Sequence, residues 1–384
     1  MMDLPLQGLV VLEFSQYLSG PSAGLRMADM GARVIKIEHP KRGDAGRKLA
    51  IKDLWVDDNS LLFHTINRNK ESFSADFKNP DDFAMLKMLI AKADVITHNF
   101  RPGVMEKAGL DYASVQHLNP LIIYASISGY GDKGPWKDLP GQDLLLQSVS
   151  GLAYTTGNAT DAPVPFGLSI ADILCGAQLV QGILAALIRR QKTGYGALIE
   201  LSLLESILDF QFELLTTFYA GGKQPLRGAL NSGHTLLAAP YGIYKTADDF
   251  IAIAMMPLQK LVTVIDCNEL LQFSQEEAFG KRDAIKTILK KHLEARPAAY
   301  WLALLHAKDI WAMQVLDWKQ MRDTDAYQSL SMEQTIDVDD NGIITTRCPI
   351  TINGRQLTSF VPAPELGAQN EKILSELKDV HVLK

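Results

Sequence analysis

Apolar runs alternate with helical patterns over the first 130 residues. Four apolar runs each contain valine or isoleucine and predict strands: Gly8–Phe14, Ala32–Glu38, Asp94–Asn99 and Pro120–Ser128. Phe83–Lys92 lies between two of these runs and has apolar residues at helical spacing. Strands that alternate with helices form parallel sheets covered on both faces. The pattern therefore predicts an α/β fold built on a parallel sheet.

Two long helical patterns follow. The first starts near Ser169 and ends at Lys192, before Gly194, a residue suited to the left-handed conformation common after helices. The second covers about Ser202–Ala220. The glycines and proline of Gly221–Pro225 then indicate a linker.

Beyond this linker the pattern changes. Tyr241–Ala254 predicts a pair of strands, and Asp283–Leu305 predicts a helix. Gly342–Ile352 is again strand-like, and we expect the last fifty residues to return to the first sheet.

Composition and charge exclude several functional classes. The chain has 384 residues, 47% of them hydrophobic, and 44 acidic against 38 basic side chains give a net charge of −6. Disordered chains have few hydrophobic residues and a high net charge, and this chain has the opposite composition. It also lacks the basic surplus typical of proteins that bind nucleic acid. We expect a globular protein with no nucleic-acid partner.

The cysteines and the apolar runs indicate the cellular compartment of the protein. Cys175, Cys267 and Cys348 are scattered without metal-ligand spacing, and their odd number favours a reducing compartment. The start of the chain lacks the features of a signal peptide. The longest nearly apolar run, Ile173–Ile188, is short for a bilayer and contains glutamines. We expect a cytoplasmic protein with no membrane partner and no metal.

A literal GxGxxG string follows the fourth predicted strand, at Gly129, Gly131 and Gly134. In dinucleotide-binding proteins the last glycine lies in a helix whose N-terminus holds the pyrophosphate. Here Pro135 follows at once and Pro140 soon after, which prevents such a helix. The string favours a loop near the sheet edge.

Basic residues recur around the loops that follow the predicted strands. In such sheets, ligands bind beyond the carboxyl ends of the strands. The basic residues concerned are Lys41, Arg42, Arg68, Lys70, Arg101 and Lys107. A lone surface charge is usually only solvated, but several cations at one edge of an acidic protein indicate a ligand that carries phosphate. Gly20-Pro21-Ser22, after the first strand, fits either an ordinary strand–helix turn or a helix start that attracts anions.

Asp172 is the most informative carboxylate. It lies at the start of the most apolar helical pattern, three residues after Ser169 and five after Gly167. Ser169 as N-cap with Asp172 at the third helical position fits a variant of the capping box. The apolar surroundings and the glycine equally fit a reactive carboxylate beside a ligand. The spacing alone leaves both interpretations open.

An ordered set of motifs makes the chain resemble the class III CoA-transferase family, which includes formyl-CoA:oxalate and carnitine CoA-transferases and related α-methylacyl-CoA racemases. The resemblance is dense over residues 5–205 and looser afterwards. The matching segments are Leu6–Phe14, Gly20-Pro21, Gly31–Glu38, Asn67–Lys70, Asn99–Gly103, Ser126–Gly131, Ser150-Gly151, the segment around Asp172, and Ala239–Gly242.

The resemblance implies specific roles. The residue matching Asp172 is the family's covalent nucleophile, which forms an enzyme–acyl anhydride and then aspartyl-CoA. By position, the CoA contacts would come from Gln16, Tyr17, Leu18, Arg42, Asn69, Lys70, Asn99, Phe100, Arg101 and Lys107. Gln142 and Asp143 would help to orient the substrate. No permanently bound cofactor is implied, since CoA and acyl-CoA enter as substrates together with a small carboxylic acid.

The reaction type depends on one position. Racemases of this family have a histidine where this chain has Gln142, and racemisation needs acid/base groups on both faces of the α-carbon. Glutamine does not titrate at neutral pH, so the sequence favours a transferase. A racemase or epimerase remains the first alternative, and a catalytically silent CoA-binding protein the second.

Two departures concern substrate shielding and specificity. The glycine-rich tetrad of formyl-CoA transferases is absent, and the nearest region is Leu230–Thr235. A GIPxGPV-like string of the smaller domain is replaced by Lys308–Val315. The resemblance further implies a Rossmann-like large domain, residues 1–220 with 330–384, a small α/β domain at 225–329, and an interlocked, ring-like homodimer.

Overall fold

A computed structural model describes residues 4–230, 233–338 and 342–378. The chain divides into two compact units. Unit 1 comprises residues 1–146, 169–210 and 330–384, and unit 2 comprises residues 147–168 and 211–329. Residues 147–168 and 211–220 group with unit 2, whereas the sequence analysis assigned them to the large domain. The predicted domain boundaries stay a prediction.

Unit 1 is built on a six-stranded parallel sheet. Its strands are β1 (Val10–Glu13), β2 (Arg33–Glu38), β3 (Glu71–Ser74), β4 (Val95–His98), β5 (Ile123–Ser128) and β6 (Ala197–Ser202). They lie in the order β3-β2-β1-β4-β5-β6, and every pairing is parallel. The mixed α/β fold is therefore confirmed. Two of the six strands were not predicted: β3 has only four residues, and the residues of β6 alternate in burial at the sheet edge and run directly into a helical pattern.

The helices of unit 1 connect and cover these strands. They are α1 (Ser19–Asp29), α2 (Leu61–Asn67), α3 (Pro80–Lys92), α4 (Val104–Lys107), α5 (Tyr112–Leu118), α6 (Asp143–Val149), which runs on into unit 2, α7 (Ile170–Thr193) and α8 (Leu203–Phe210). One core packs β1 and β4 against α3 and α5, with Leu12, Leu86, Ile96 and Val115 fully buried. Burial of these side chains is the main stabilising contribution to this layer.

Helix α7 is longer than the apolar run that the sequence analysis considered. With 24 residues, it meets the length and hydropathy of a membrane span, which is weak evidence because core helices do so too. Eight of its residues are buried within the protein, Cys175 and Ile183 among them. The run Ile173–Ile188 was expected to be too short for a bilayer, and this expectation was wrong because the helix that contains it is longer than the run.

A buried ion network lies under the edge of the sheet where β1 and β2 end. The Glu13 carboxylate accepts hydrogen bonds from Lys36 at 3.0 Å and from Lys70 at 2.9 and 3.0 Å, and all three side chains are fully buried. Lys36 also pairs with Asp44 at 2.6 Å. A Cβ at Gly24 would lie 1.7 Å from Glu13, so only glycine lets α1 approach this carboxylate. The network ties β1, β2 and the loop after β2 together.

Unit 2 contains a three-stranded antiparallel sheet and short helices. Its strands β7 (Gly242–Lys245), β8 (Phe250–Ile253) and β9 (Ala312–Gln314) lie in the order β9-β8-β7. Its helices are α9 (Phe212–Gly221), α10 (Leu258–Ile265), α11 (Glu277–Gly280), α12 (Arg282–Leu293), α13 (Ala298–His306), α14 (Trp318–Arg322) and α15 (Asp325–Ser329).

Two long predicted helices are each divided in two. The pattern over Ser202–Ala220 forms α8 and α9, which are separated at Gln211. The pattern over Asp283–Leu305 forms α12 and α13, with Pro297 as the N-cap of α13. Proline cannot continue a helix that precedes it, since it lacks the backbone N–H. The predicted strand pair over Tyr241–Ala254 is confirmed by β7 and β8.

Within residues 335–338 and 342–378, no strand joins the six-stranded sheet, and this part of the chain, which belongs to unit 1, returns to the sheet at its edge. Strands β10 (Glu333–Ile336) and β11 (Ile343–Thr346) pair only with each other in the described part of the chain. The segment before α16 (Asn370–Lys378) instead protects edge strand β3. The side chains of Gln369 and Asn370 accept hydrogen bonds from the backbone N–H groups of Ser72 and Ser74.

The ion network allows a prediction about stability. Glu13→Gln removes the charge that two buried lysines share, and we expect a loss of about 3 kcal/mol in the free energy of unfolding. Lys372→Ala removes a surface pair with Glu71, in which Lys372 is 57% exposed, and should cost less than about 1 kcal/mol. Urea unfolding of both variants checks this. Equal losses would contradict the assignment of a stabilising role to the buried network.

Candidate active site

The loop after β1 is fixed by the side-chain amide of Asn99, which follows β4. Asn99 Oδ1 accepts a hydrogen bond from the Gln16 backbone N–H at 2.8 Å, and Asn99 Nδ2 donates to the Gln16 carbonyl at 2.7 Å. Asn99 Nδ2 also lies 3.3 Å from the hydroxyl of Ser19, the first residue of α1. The structure thus brings together two of the predicted loops at the carboxyl edge of the sheet.

Asp172 lies in the first turn of α7, at the same edge of unit 1. It is partly buried, and burial raises the pKa of its carboxyl group from 3.8 to about 6. The negative charge of Asp143 adds to this rise in pKa, whereas a hydrogen bond with the Ser19 side chain opposes it. Asp172 is therefore a desolvated carboxylate with a like charge beside it.

The N-terminus of α7 is capped by Asp143. Asp143 Oδ1 accepts a hydrogen bond from the Ala171 backbone N–H at 2.7 Å. Ser169 occupies the N-cap position, but its side chain makes no capping hydrogen bond. The capping box suggested by the sequence is therefore not formed. This observation favours the alternative interpretation, in which Asp172 is a reactive carboxylate.

Close packing of α1 on α7 positions Ser19 beside Asp172. A Cβ at Gly176 would lie 2.2 Å from Ser22 Oγ and 2.6 Å from the Ser19 carbonyl oxygen. Only glycine permits this approach. One turn before Gly176 along α7, the same approach brings Asp172 to the first turn of α1.

Tyr17 and Leu18 continue the loop that Asn99 fixes. Tyr17 has a left-handed backbone with φ of 64°, and its side chain is exposed. The Tyr17 backbone N–H donates to Asp44 Oδ1 at 3.1 Å, and Asp44 also accepts from Gly46 N–H and pairs with buried Lys36. The ion network thus extends to this loop. Leu18 is the N-cap residue of α1.

The predicted basic residues are in two different environments. Arg42, Arg101 and Lys107 are exposed on unit 1, where they can reach a ligand from solvent. Lys70 is buried, and its ammonium group donates to Glu13, to Asn67 Oδ1 and to the Pro21 carbonyl. Burial lowers the pKa of Lys70 to about 8. This placement argues against direct contact between Lys70 and a CoA phosphate.

The side chains of Asn69 and Phe100 both make contacts within unit 1. Asn69 has a left-handed backbone, and its side chain donates to the Ala28 carbonyl at 3.0 Å. The Phe100 ring stacks on His98 with centroids 6.2 Å apart. Burial lowers the pKa of His98 to about 4, so this imidazole is neutral at pH 7.

The GxGxxG segment does not open a helix. Gly129 and Gly141 approach so closely that a Cβ at Gly129 would lie 2.9 Å from the Gly141 Cα, which closes the base of an exposed loop. Gln142 follows, is exposed, and its carbonyl accepts the Leu145 N–H. In the described residues, no group of three or more histidine, cysteine, aspartate or glutamate side chains could hold a metal ion.

Two residues at this edge, Ser19 and Asp44, were not predicted from the sequence. Ser19 stands before the Gly20-Pro21 motif and carries no sequence signal beyond that position. Asp44 follows Gly43 in a loop whose only sequence signal is its basic residues. A hydrogen bond across the loop, such as that from Tyr17 to Asp44, joins residues 27 positions apart and leaves no local pattern.

The raised pKa of Asp172 makes a prediction about stability. Above pH 6 Asp172 is ionised in the folded protein, and burial makes this charge less favourable there than in the unfolded chain. Asp172→Asn removes the charge and should therefore raise the free energy of unfolding by on the order of 1 to 2 kcal/mol at pH 8. The gain should shrink as the pH falls from 6 towards 4, because Asp172 is then protonated in the wild type as well. Urea unfolding at pH 8 and pH 5 checks this. A destabilised variant at pH 8 would contradict it.

Comparisons with known proteins identify the family of the chain. A sequence model of CoA-transferase family III matches residues 6–370. The chain is 32% identical over 381 residues to the acetyl-CoA:oxalate CoA-transferase of Acetobacter aceti, covering 97% of this chain and 95% of that protein. It is 30% identical to the succinate–glutarate CoA-transferase of Agrobacterium fabrum, covering 98% and 96%.

A solved structure gives the same result for the fold. The crystal structure of a CAIB/BAIF family protein from Brucella suis matches with a TM-score of 0.84 and 29% identity, covering 98% of this chain and 100% of that one. The fold and the sequence comparisons agree, and the resemblance noted from the motifs is confirmed. The chain belongs to CoA-transferase family III and is an enzyme that transfers CoA between acyl-CoA thioesters and acids.

Proposed function

We propose that Asp172 is the covalent nucleophile of the CoA transfer. The observation that carries this proposal is the desolvated carboxylate at the start of α7, beside Asp143 and Ser19. A carboxylate is a modest nucleophile that becomes effective when it loses water and is held in place. At pH 7 the carboxyl group of Asp172 is mostly ionised and able to attack, since its pKa is about 6.

The reaction proceeds through two anhydrides and one thioester. An Asp172 oxygen attacks the thioester carbonyl of the donor, the carbon–sulfur bond breaks, and an anhydride and CoA thiolate form. The thiolate then attacks the aspartyl carbonyl, which releases the donor acid and leaves aspartyl-CoA. The acceptor carboxylate attacks aspartyl-CoA to form a second anhydride and thiolate. This thiolate attacks the acceptor's carbonyl, and Asp172 is restored.

The CoA contacts form a proposed surface along the carboxyl edge of the sheet in unit 1. The exposed cations Arg42, Arg101 and Lys107 are suited to the phosphates of CoA. The proposed contacts to the rest of CoA are Gln16, Tyr17, Leu18, Asn99 and Phe100. Asn69 and Lys70 would act mainly by holding the chain that surrounds them, because their side chains are occupied within the protein.

Transfer is favoured over racemisation. Gln142 stands where racemases have a histidine, and it cannot exchange a proton with an α-carbon. The Asp143 carboxylate caps α7. This contact favours a role in positioning over a role as a second acid/base group. The relatives carry the names of acetyl-CoA:oxalate and succinate–glutarate transferases. We infer a short dicarboxylic acid as the acceptor.

A homodimer in the cytoplasm completes the proposal. Unit 1 exposes large apolar side chains on consecutive helices, among them Leu144 on α6, Ile173 and Ile188 on α7, and Phe210 on α8. Large apolar side chains left exposed on one unit support a partner subunit that covers them. The reduced form of all three cysteines agrees with a reducing compartment.

Trapping tests the covalent mechanism. The enzyme is incubated with succinyl-CoA and hydroxylamine, and mass spectrometry of the digest should find a hydroxamate on the peptide that contains Asp172. Asp172→Ala should show no adduct and no CoA transfer. Asp81→Asn, which changes an exposed first-turn carboxylate of α3, should keep both.

Three outcomes, of this experiment and of a parallel incubation in deuterium oxide, would overturn the mechanism. The first is full transfer by Asp172→Ala. The second is deuterium uptake at the α-carbon of the acyl group without CoA exchange, which would indicate a racemase. No adduct, no exchange and no deuterium uptake would indicate a silent CoA-binding protein.

The activity should also depend on pH in a defined direction. Protonated Asp172 cannot attack, so kcat/KM should fall as the pH drops through about 6. Initial rates between pH 5 and pH 8, with stability checked at each pH, provide the measurement. An acid limb centred near 4 would show that the carboxyl group of Asp172 keeps its ordinary pKa.

A further inference from the structure

Ser19 is oriented by its neighbours in a way that leaves its hydroxyl proton for Asp172. A backbone N–H can only donate, so the bond from Gln16 N–H fixes Oδ1 of Asn99 as the acceptor and Nδ2 as the donor. Nδ2 faces the Ser19 hydroxyl at 3.3 Å, and Ser19 Oγ therefore accepts from Asn99. The hydrogen of Ser19 is then available to the Asp172 carboxylate, which lies where α1 packs closely against α7 and whose pKa the Ser19 side chain lowers.

Ser19 is also held rigidly. It is 3% exposed and begins α1, and its carbonyl accepts a hydrogen bond from Ser22 Oγ at 2.8 Å. The close approach at Gly176 fixes α1 against α7 beside it. A donor that needs no rearrangement during the reaction is the kind that stabilises a transition state most effectively.

We propose that the Ser19 hydroxyl is a catalytic hydrogen-bond donor to the Asp172 oxygen that carries negative charge when the aspartyl carbonyl is attacked. This inference rests on the proposed covalent role of Asp172. One Asp172 oxygen becomes the bridging atom of the anhydride, and the other becomes a carbonyl oxygen. Ser19 donates to the carbonyl oxygen.

The donor acts on two of the four steps. When CoA thiolate attacks the aspartyl carbonyl, the sulfur–carbon bond forms and the carbonyl electron pair moves onto the oxygen that Ser19 holds. The pair returns as the bridging oxygen leaves with the donor acid. The attack of the acceptor carboxylate on aspartyl-CoA places charge on the same oxygen. In the first and last steps the charge develops on the substrate's acyl carbonyl instead.

This asymmetry can be measured with two exchange reactions. Labelled CoA enters acyl-CoA by formation and reversal of the first anhydride alone. Labelled succinate enters succinyl-CoA only if aspartyl-CoA is formed and attacked. We expect Ser19→Ala to slow succinate exchange by about 10- to 100-fold and to change CoA exchange by less than about 3-fold.

Ser114→Ala is the matched control, since it removes a first-turn hydroxyl of α5, which bonds locally to Asp111. It should leave both exchange rates near those of the wild type, and unfolding curves should show that both variants are folded. Equal slowing of both exchanges by Ser19→Ala, or no slowing, would overturn the role of Ser19. Absence of both exchanges in the wild type would instead overturn the proposed function of Asp172.

Discussion

The close approach of α1 to α7 is the constraint on which the site depends. Gly176 leaves room for Ser22 and for the Ser19 carbonyl, and a larger residue would force the helices apart. The approach removes water from Asp172 and brings a hydroxyl to its carboxylate. Desolvation and positioning are the two conditions that a carboxylate needs to act as a nucleophile. The packing of α1 on α7 at Gly176 thus determines the environment of the Asp172 carboxyl group.

The charges of unit 1 divide into two groups with different roles. Lys36, Lys70, Glu13 and Asp44 are paired with one another in the interior, and through Asp44 they hold the backbone of Tyr17. Asp172 has no positive partner in the described structure, and Asp143 beside it is negative. The paired charges stabilise the loops, whereas burial and the neighbouring negative charge raise the pKa of the Asp172 carboxyl group.

The α/β pattern could be predicted from the sequence, because periodicity is a local property, and motif order made Asp172 a candidate that remains a prediction. Strand β6 was missed since an edge strand followed at once by a helix has no clear period of its own. The burial of Lys70 and the capping by Asp143 could not be predicted either. Both depend on contacts between distant segments, such as Lys70 with Glu13 and Asp143 with Ala171. A basic residue near a predicted loop indicates charge, but only packing decides whether solvent reaches it.

The fate of the acceptor's oxygen tests the central claim most directly. When an acceptor carboxylate labelled with oxygen-18 attacks aspartyl-CoA, one of its oxygens bridges the second anhydride and remains on Asp172 when CoA leaves with the acyl group. Mass spectrometry of the Asp172 peptide after turnover should therefore show the label in that carboxyl group. Turnover with no label on Asp172 would contradict a covalent role for this residue.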